Sequence, residues 1–363
     1  MAIDVDTLQK LRSEMEVPKL DLGWLNLDEE SHWGMRAKPG KRGLTLDEIE
    51  IGPYYGEVPE HTDNRSIKPR GARPRPDAPR LPSAYANRSD VYSENTRLLY
   101  EEGVQRQWSS ATDIPWESIK PLPDDMERAM CQLCTLLTEV EFIAGDTPGQ
   151  WLPQINSEHH EVKLFLLSQI MDEARHLDVF RKRALANGGG LLSATPGDVL
   201  RVIIEAKDFT EMSAMMHVFA EGFVQSMFRM GEYIGQNEAE KRIFRLCGQD
   251  ESRHLGFGVM HLKHVMDTEP WRREELHHYL DKCEEALTAG TSVNTDAGNY
   301  MVESLAILMG GGVNNFDKGL QMAMAVQRKR VNEYMHRLTV AGLGDRRERM
   351  YPMLRPFLDP APN

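Results

Sequence analysis

The sequence predicts an all-α protein, a bundle of long helices behind an irregular N-terminal arm. Three observations carry this. From about Ser93 onward apolar residues recur at helical spacing over long segments. The breaks between those segments are short and carry helix-end chemistry. No strand-like alternation competes anywhere in that part of the chain.

The elements follow in order. Residues from about Leu22 to Arg88 mix Gly, Pro, Arg and acids without sustained periodicity. Within them Lys68 to Pro82, KPRGARPRPDAPRLP, cannot be helix, because each proline removes a donor and restricts its neighbour. An extended arm lying over the domain or a partner subunit is expected, with a disordered tail as the alternative. Pro123-Asp124-Asp125 opens a helix with acids in its first turn, and Gly145 to Pro153 is expected to close it. A second runs from about Ser157 to the left-handed stop signal Asn187-Gly188-Gly189-Gly190. Thr195-Pro196 starts a third, expected to continue to about Gly235. A fourth covers roughly Glu238 to Met266. Later helices are expected at Pro270 to Ala289 and at Asp296 to Leu343, the last broken near Gly310-Gly311-Gly312. The expected division is 1–90 arm, 91–345 helical domain and 346–363 tail.

Composition narrows the function classes. Hydrophobic residues make up 40% and charged residues 27% of the 363, enough to bury a substantial core. Acids outnumber Lys and Arg by 56 to 43, a formal charge of -13 that would repel nucleic acid and anionic membranes. Cys131, Cys134, Cys247 and Cys283 do not make a disulfide framework in so long a chain. The N-terminus lacks an apolar leader core and no apolar run approaches a membrane span, so a cytoplasmic protein is expected.

Chemistry concentrates in two matched segments, Asp172-Glu173-Ala174-Arg175-His176 and Asp250-Glu251-Ser252-Arg253-His254. Each places a Glu and a His at i and i+3, about 60° apart around a helix, where both can grip one ion from one face. A lone pair of this kind is weak; two copies with the same flanks on two helices are not. Glu141, within Val140-Glu141-Phe142-Ile143-Ala144, and Glu221, within Phe219-Ala220-Glu221-Gly222-Phe223, lie on the helices preceding the two motifs. Both sit in apolar runs, where an unpaired carboxylate costs several kcal/mol (about 2–7) or is neutralised by a pKa shift. A metal removes that cost. Two Glu-x-x-His helices plus one Glu from each of two others form the ligand set of ferritin-like di-metal bundles.

Charge sets the number of ions: two divalent cations balance Glu141, Glu173, Glu221 and Glu251, with His176 and His254 neutral. Mixed carboxylate and imidazole ligands suit iron or manganese rather than structural zinc. Asp172 is expected to hold His254, and Asp250 to hold His176, with Arg175 and Arg253 neutralising the aspartates. Exposed salt bridges on amphipathic helices are the competing account. Glu139 rivals Glu141, because both faces of that helix carry apolar neighbours.

At these residues the sequence resembles the ribonucleotide-reductase-like branch of the ferritin superfamily, closest to hydroxylase subunits of bacterial multicomponent monooxygenases. Val140-Glu141-Phe142, the segment FLLSQIMDEARH from Phe165 to His176, Ala220-Glu221-Gly222-Phe223 and Gln249 to Gly256 carry the likeness. It covers roughly Pro123 to Met266. It implies a ferritin-like four-helix bundle with additional C-terminal helices, two iron ions (or manganese/iron) and dioxygen as co-substrate. Electrons would come from a separate ferredoxin or flavin reductase, and the chain would form a homodimer. Three positions depart from relatives. Gln225 stands where the monooxygenases carry threonine. Phe180 stands where most reductase small subunits carry the radical tyrosine, although some manganese/iron versions share the phenylalanine. Cys247 stands where arylamine N-oxygenases add a histidine.

Further candidates are Gln225, His217 and Cys134, as groups lining or backing the site. His217 lies one turn before Glu221, with a hydrogen-bonded core histidine as the plainer account. Cys134 lies two turns before Glu141 and, with Cys131, also fits a small buried hydrophobe. Met212, Met215, Met216, Met227 and Met230 would shape an apolar substrate cavity or simply fill the core. His159-His160 and His277-His278 read as exposed pairs. The expected function is an O2-dependent di-iron oxidase or oxygenase acting on an organic small molecule. Amine N-oxygenation, acyl desaturation, a radical subunit, iron storage or peroxide scavenging, and a metal-free scaffold are the alternatives.

Overall fold

The computed structural model describes residues 4–15, 21–25, 37–49, 58–62, 85–156, 158–193, 198–289 and 300–360. The stretch Lys68 to Pro82, the Thr195-Pro196 helix start and the expected start at Asp296 fall outside them. The helices are Val5–Glu14 (α1), Leu46–Ile49 (α2), Thr96–Gln105 (α3), Asp124–Trp151 (α4), His160–Ala186 (α5), Asp198–Ile204 (α6) and Phe209–Ser213 (α7). Then come Glu221–Phe228 (α8), Gly231–Ile234 (α9), Glu238–Thr268 (α10), Arg273–Ala289 (α11), Tyr300–Gly310 (α12), Phe316–Val340 (α13) and Arg346–Arg349 (α14). Among the described residues no strand forms; pairing is limited to isolated bridges such as His61 with Asn87. None of these helices is long and apolar enough to cross a membrane.

Local chemistry explains where helices begin and end. Asn237 accepts from the Glu240 amide at 3.0 Å to open α10, and Asp208 accepts from the Glu211 amide at 2.8 Å to open α7. Helix α5 ends just before Gly188, whose φ of 78° suits glycine. One expectation is met and one corrected. Helix α4 ends at Trp151, inside the expected closing stretch Gly145 to Pro153, after passing through Pro148. That proline removes one intrahelical bond, while burial of Thr147 and Trp151 on either side keeps the last turns packed. The third segment is not one helix. It breaks after Ile204, restarts at Phe209, and passes from α7 to α8 through a π-helical stretch, Ala214–Ala220. There the Glu221 amide bonds to the Met216 carbonyl, five residues back.

Helices α4, α5, α8 and α10 form the central bundle, with α3 against α5 and the pair α12–α13 against α4 and α8. The core is divided in two. One apolar cluster joins Val162, Phe165 and Leu166 of α5 to Leu255, Phe257 and Leu262 of α10. The other joins Val179, Phe180 and Ala184 of α5 to Ile243, Phe244 and Cys247 of α10. Between them, along both helices, lie the two Asp-Glu-x-Arg-His segments. The polar layer is thus closed off at both ends by packed hydrocarbon. Met212, Met215 and Met216 belong to the first cluster and Met227 to the second, as packed core.

Around this centre, Arg346 is fully buried, donating to Glu284 at 2.9 Å, and Met350 and Leu354 join the core. The chain after residue 345 is therefore packed in where it is described. Of the two histidine pairs expected at the surface, His159 and His277 are buried, the latter 3.0 Å from Asp345.

Candidate metal centre

Six side chains from four helices converge in the polar layer. Glu141, Glu173, His176 and Glu251 form one group, and Glu173, Glu221, Glu251 and His254 form another, the candidate ligand atoms of each lying within 4.8 Å of one another. All six residues are at most 4% exposed. Glu139, the rival for the first position, is exposed, so helix α4 turns Glu141 inward and Glu139 outward.

The two groups share Glu173 and Glu251, and each shared carboxylate splits its oxygens between them. Glu173 Oε2 lies 3.1 Å from His176 Nδ1, and its Oε1 lies 2.9 Å from His254 Nδ1. Glu251 Oε1 lies 3.2 Å from His176 Nδ1, and its Oε2 lies 3.5 Å from His254 Nδ1. Glu141 belongs to the His176 half, at 3.7 Å, and Glu221 to the His254 half, also at 3.7 Å.

The outer ring nitrogens face a second layer of charge. His176 Nε2 is 3.3 Å from Asp250, and His254 Nε2 is 3.2 Å from Asp172. These are the crossed partners anticipated from the two motifs. Arg253 donates to Asp172 and Asp250, both at 2.7 Å, while Arg175 bonds Asp172 and reaches Asp250 at 3.0 Å. Two aspartates and two arginines therefore cancel. With Nε2–H given to an aspartate, each imidazole turns the lone pair of Nδ1 toward the glutamates. Trp108, from the segment after α3, donates its indole N–H to Asp250 at 2.7 Å and stacks on His176 with ring centroids 6.3 Å apart.

The residues fit a pair of cations. Among the described residues Glu141 Oε1, Glu173 Oε1, Glu221 Oε2, Glu251 Oε2 and His254 Nδ1 are buried with no hydrogen-bond partner. Orphaned oxygens from four different helices aimed at one layer would be costly in a purely structural network, and are what a cation satisfies. The field has the matching sign. Burial pushes the Glu141 and Glu221 carboxyls well above the usual carboxylate range. Burial opposes ionisation of Glu173 too, but His254 and His176 outweigh it and hold that carboxyl low. Burial also opposes a charge on His254, yet Glu173 and Glu221 raise its pKa well above normal. A pocket that draws protons onto an imidazole draws metal cations by the same potential.

The three further candidates fall differently. His217 is fully buried and linked to the site through Gln169, which the sequence reading passed over. Gln225 does not face the carboxylates: its amide donates to Ser252 at 3.1 Å and accepts from Arg337 at 2.9 Å. Cys134 packs in the second apolar cluster, and the charged groups around it are Arg183, Glu240 and Glu127 rather than the six ligand residues. The cysteine beside the centre is Cys247, one turn before Glu251. Burial pushes its thiol up to about 12, with His176 and Glu141 as neighbours. Phe180, one turn after His176, packs on Phe228 and Phe244. Nothing local in the sequence marks Trp108, which reaches the site only through tertiary contacts, whereas Gln169 could have been found one turn before Glu173 on the same face of α5.

Bundle and site together define a ferritin-like fold built around two carboxylate–histidine clusters. Several solved structures resemble it. A point mutant of an R2-like ligand-binding oxidase with an aerobically reconstituted Mn/Fe cofactor aligns with a TM-score of 0.53 and 16% identity, over 67% of this chain and 92% of that one. A long-soaked Mn/Fe form of such an oxidase gives 0.52 and 15%, over 68% and 92%. A mutant with an Fe/Fe cofactor gives 0.51 and 16%, over 67% and 92%. At 15–16% identity the likeness is one of fold. No family model and no curated protein sequence matches the chain.

Proposed function

We propose that the protein is an O2-dependent oxidase that binds two iron ions, with manganese/iron an alternative filling, and oxidises an organic small molecule. One observation carries this reading: Glu173 and Glu251 each divide two buried oxygens between a His176 half and a His254 half. That is the geometry of carboxylates bridging a pair of ions, and similar folds hold Mn/Fe or Fe/Fe cofactors. The ions supply what no side chain here has, a source of single electrons for dioxygen.

The protein's own groups do the rest. Glu141 and Glu221 complete the two halves, and His176 and His254 present Nδ1 because Asp250 and Asp172 fix their tautomers. Arg175 and Arg253 bond those aspartates and keep them outside the ligand set. The two apolar clusters exclude water from a reaction that would otherwise lose oxidising power to solvent.

In the oxygenase form, one oxygen atom enters a substrate C–H bond and the other leaves as water, with two electrons and two protons supplied from outside. We assign the electrons to a separate ferredoxin or flavin reductase, since no flavin, NAD or iron–sulfur motif occurs in the sequence. A homodimer is proposed from the family resemblance. Phe180 at the position of the radical tyrosine favours oxidation of a bound molecule over a radical-subunit role.

The test is anaerobic loading with ferrous iron, metal analysis, then labelled dioxygen with candidate substrates read by mass spectrometry. Close to two irons per chain and label in an organic product support an oxygenase. An unlabelled oxidised product indicates a desaturase or oxidase. A mineral core without organic product would point to storage, and absence of bound metal would end the reading.

A further inference from the structure

Behind Glu221 lies a chain of three buried polar groups. Ser213 Oγ is 3.0 Å from His217 Nδ1, His217 Nε2 is 3.1 Å from Gln169 Oε1, and Gln169 Nε2 is 2.8 Å from Glu221 Oε1. Ser213, His217 and Gln169 are each fully buried. The direction of every hydrogen in this chain follows from its far end. Glu221 Oε1 accepts from the Gln169 amide NH2, so the Gln169 carbonyl must face the other way. That carbonyl accepts only from an N–H, so His217 carries its proton on Nε2. Its Nδ1 is then an acceptor, filled by the Ser213 hydroxyl. Reversing the amide would set a carbonyl against the carboxylate, and although His217 could follow by changing tautomer, that contact would stay unmet in a dry core.

The geometry points to Gln169 as a positioning residue for Glu221, locked in one orientation by His217 and Ser213. Glu221 Oε1 is held by the amide, and Oε2, which has no hydrogen-bond partner, is the oxygen left to meet a cation. Glu141, the counterpart in the other half, pairs with His176 but has no such amide brace at Oε1 among the described residues. The two halves are therefore unequal, and the His254 half is the more preorganised. His217 lies within the π-helical stretch Ala214–Ala220, one turn before Glu221, and both side chains bond Gln169 of α5. This inference rests on the two-cation reading and adds to it an asymmetry between the sites.

The experiment is a manganese(II) titration of the full chain, followed by loss of the free-ion electron paramagnetic resonance signal, for wild type, Gln169→Met, His217→Met and His217→Gln. Circular dichroism and Tm are recorded for each. Gln169→Met keeps the volume and removes the amide. It is expected to weaken one of the two sites by about 10–100-fold and leave the other within about threefold, because Glu221 belongs to only one group. His217→Met should weaken the same site, and His217→Gln, which can restore a donor to Gln169, should recover most of the loss. A merely structural role would lower Tm without singling out one site. A folded Gln169→Met protein that keeps both wild-type affinities would overturn the inference and leave the two-cation reading standing. Wild type that binds no manganese or iron would overturn both.

Discussion

At the scale of single residues, the six ligand candidates are not equivalent, and their sharing pattern makes a sharp prediction. Glu173 and Glu251 serve both halves, whereas Glu141 and Glu221 serve one each. Replacing Glu173 with Gln should abolish stable binding of both ions, while Glu141→Gln should leave about one ion per chain. Metal analysis after gel filtration checks this, and a Glu173→Gln protein that retains two ions would refute the shared-ligand geometry. Glu173, His176, Glu251 and His254 were legible in the sequence because chemistry is local there: a Glu and a His one turn apart must share a face, and the motif is repeated. Glu141 was favoured over Glu139 only by the family likeness, because apolar neighbours flank both and packing decides which face turns in. Trp108 could not be read at all, because it meets the site across a distance that sequence spacing does not encode. Gln169 lies one turn before Glu173 and shares its face, but its partners Glu221 and His217 come from another part of the chain.

At the scale of elements, the long helices were legible and their internal irregularities were not. Gly188 and the acids of Asp124-Asp125 act through the backbone of their own helix, so their signals survive without tertiary context. The π stretch before Glu221 is different, because its apolar run, Ala214 to Ala220, has a composition an α-helix accepts equally well. What makes room for it is Gly258 on the neighbouring α10. A Cβ there would come within 2.4 Å of the His217 Cβ and 3.2 Å of Val218. Gly258→Ala should thus act through helix spacing. Alanine gains about 1 kcal/mol in helix propensity, but overpacking against two buried backbones costs about 1–3 kcal/mol, so the net is destabilising. The expected result is a lower midpoint in urea together with weaker metal binding at the His254 half. A variant as stable as wild type, with unchanged metal affinity, would show that α10 and the π stretch are not in close contact.

At the scale of the whole molecule, the same burial that assembles the site makes the fold sensitive to acid. His261 is fully buried on α10, away from the metal layer, 2.7 Å from the Tyr92 carbonyl and 3.0 Å from the Thr210 hydroxyl. Nδ1 must donate to the carbonyl, which leaves Nε2 to accept from Thr210, so the ring sits neutral. Burial pushes its pKa down to about 4, opposed by the Tyr92 carbonyl and reinforced by His264 and Arg272. In the unfolded chain the same group titrates near its ordinary value of about 6.5. Between those two values the unfolded state binds more protons, so stability falls as pH falls. The contribution is intact above about pH 6.5 and is lost progressively toward pH 4, on the order of 3 kcal/mol across that window. His261→Gln keeps a donor for Tyr92 and an acceptor for Thr210 but cannot titrate. Urea unfolding of metal-free wild type and variant at pH 7, 6, 5 and 4 isolates the term, because the glutamates and His217 are common to both. The variant should start slightly less stable at pH 7 and lose distinctly less on acidification. Parallel curves would mean that His261 is hydrated or already charged in the fold.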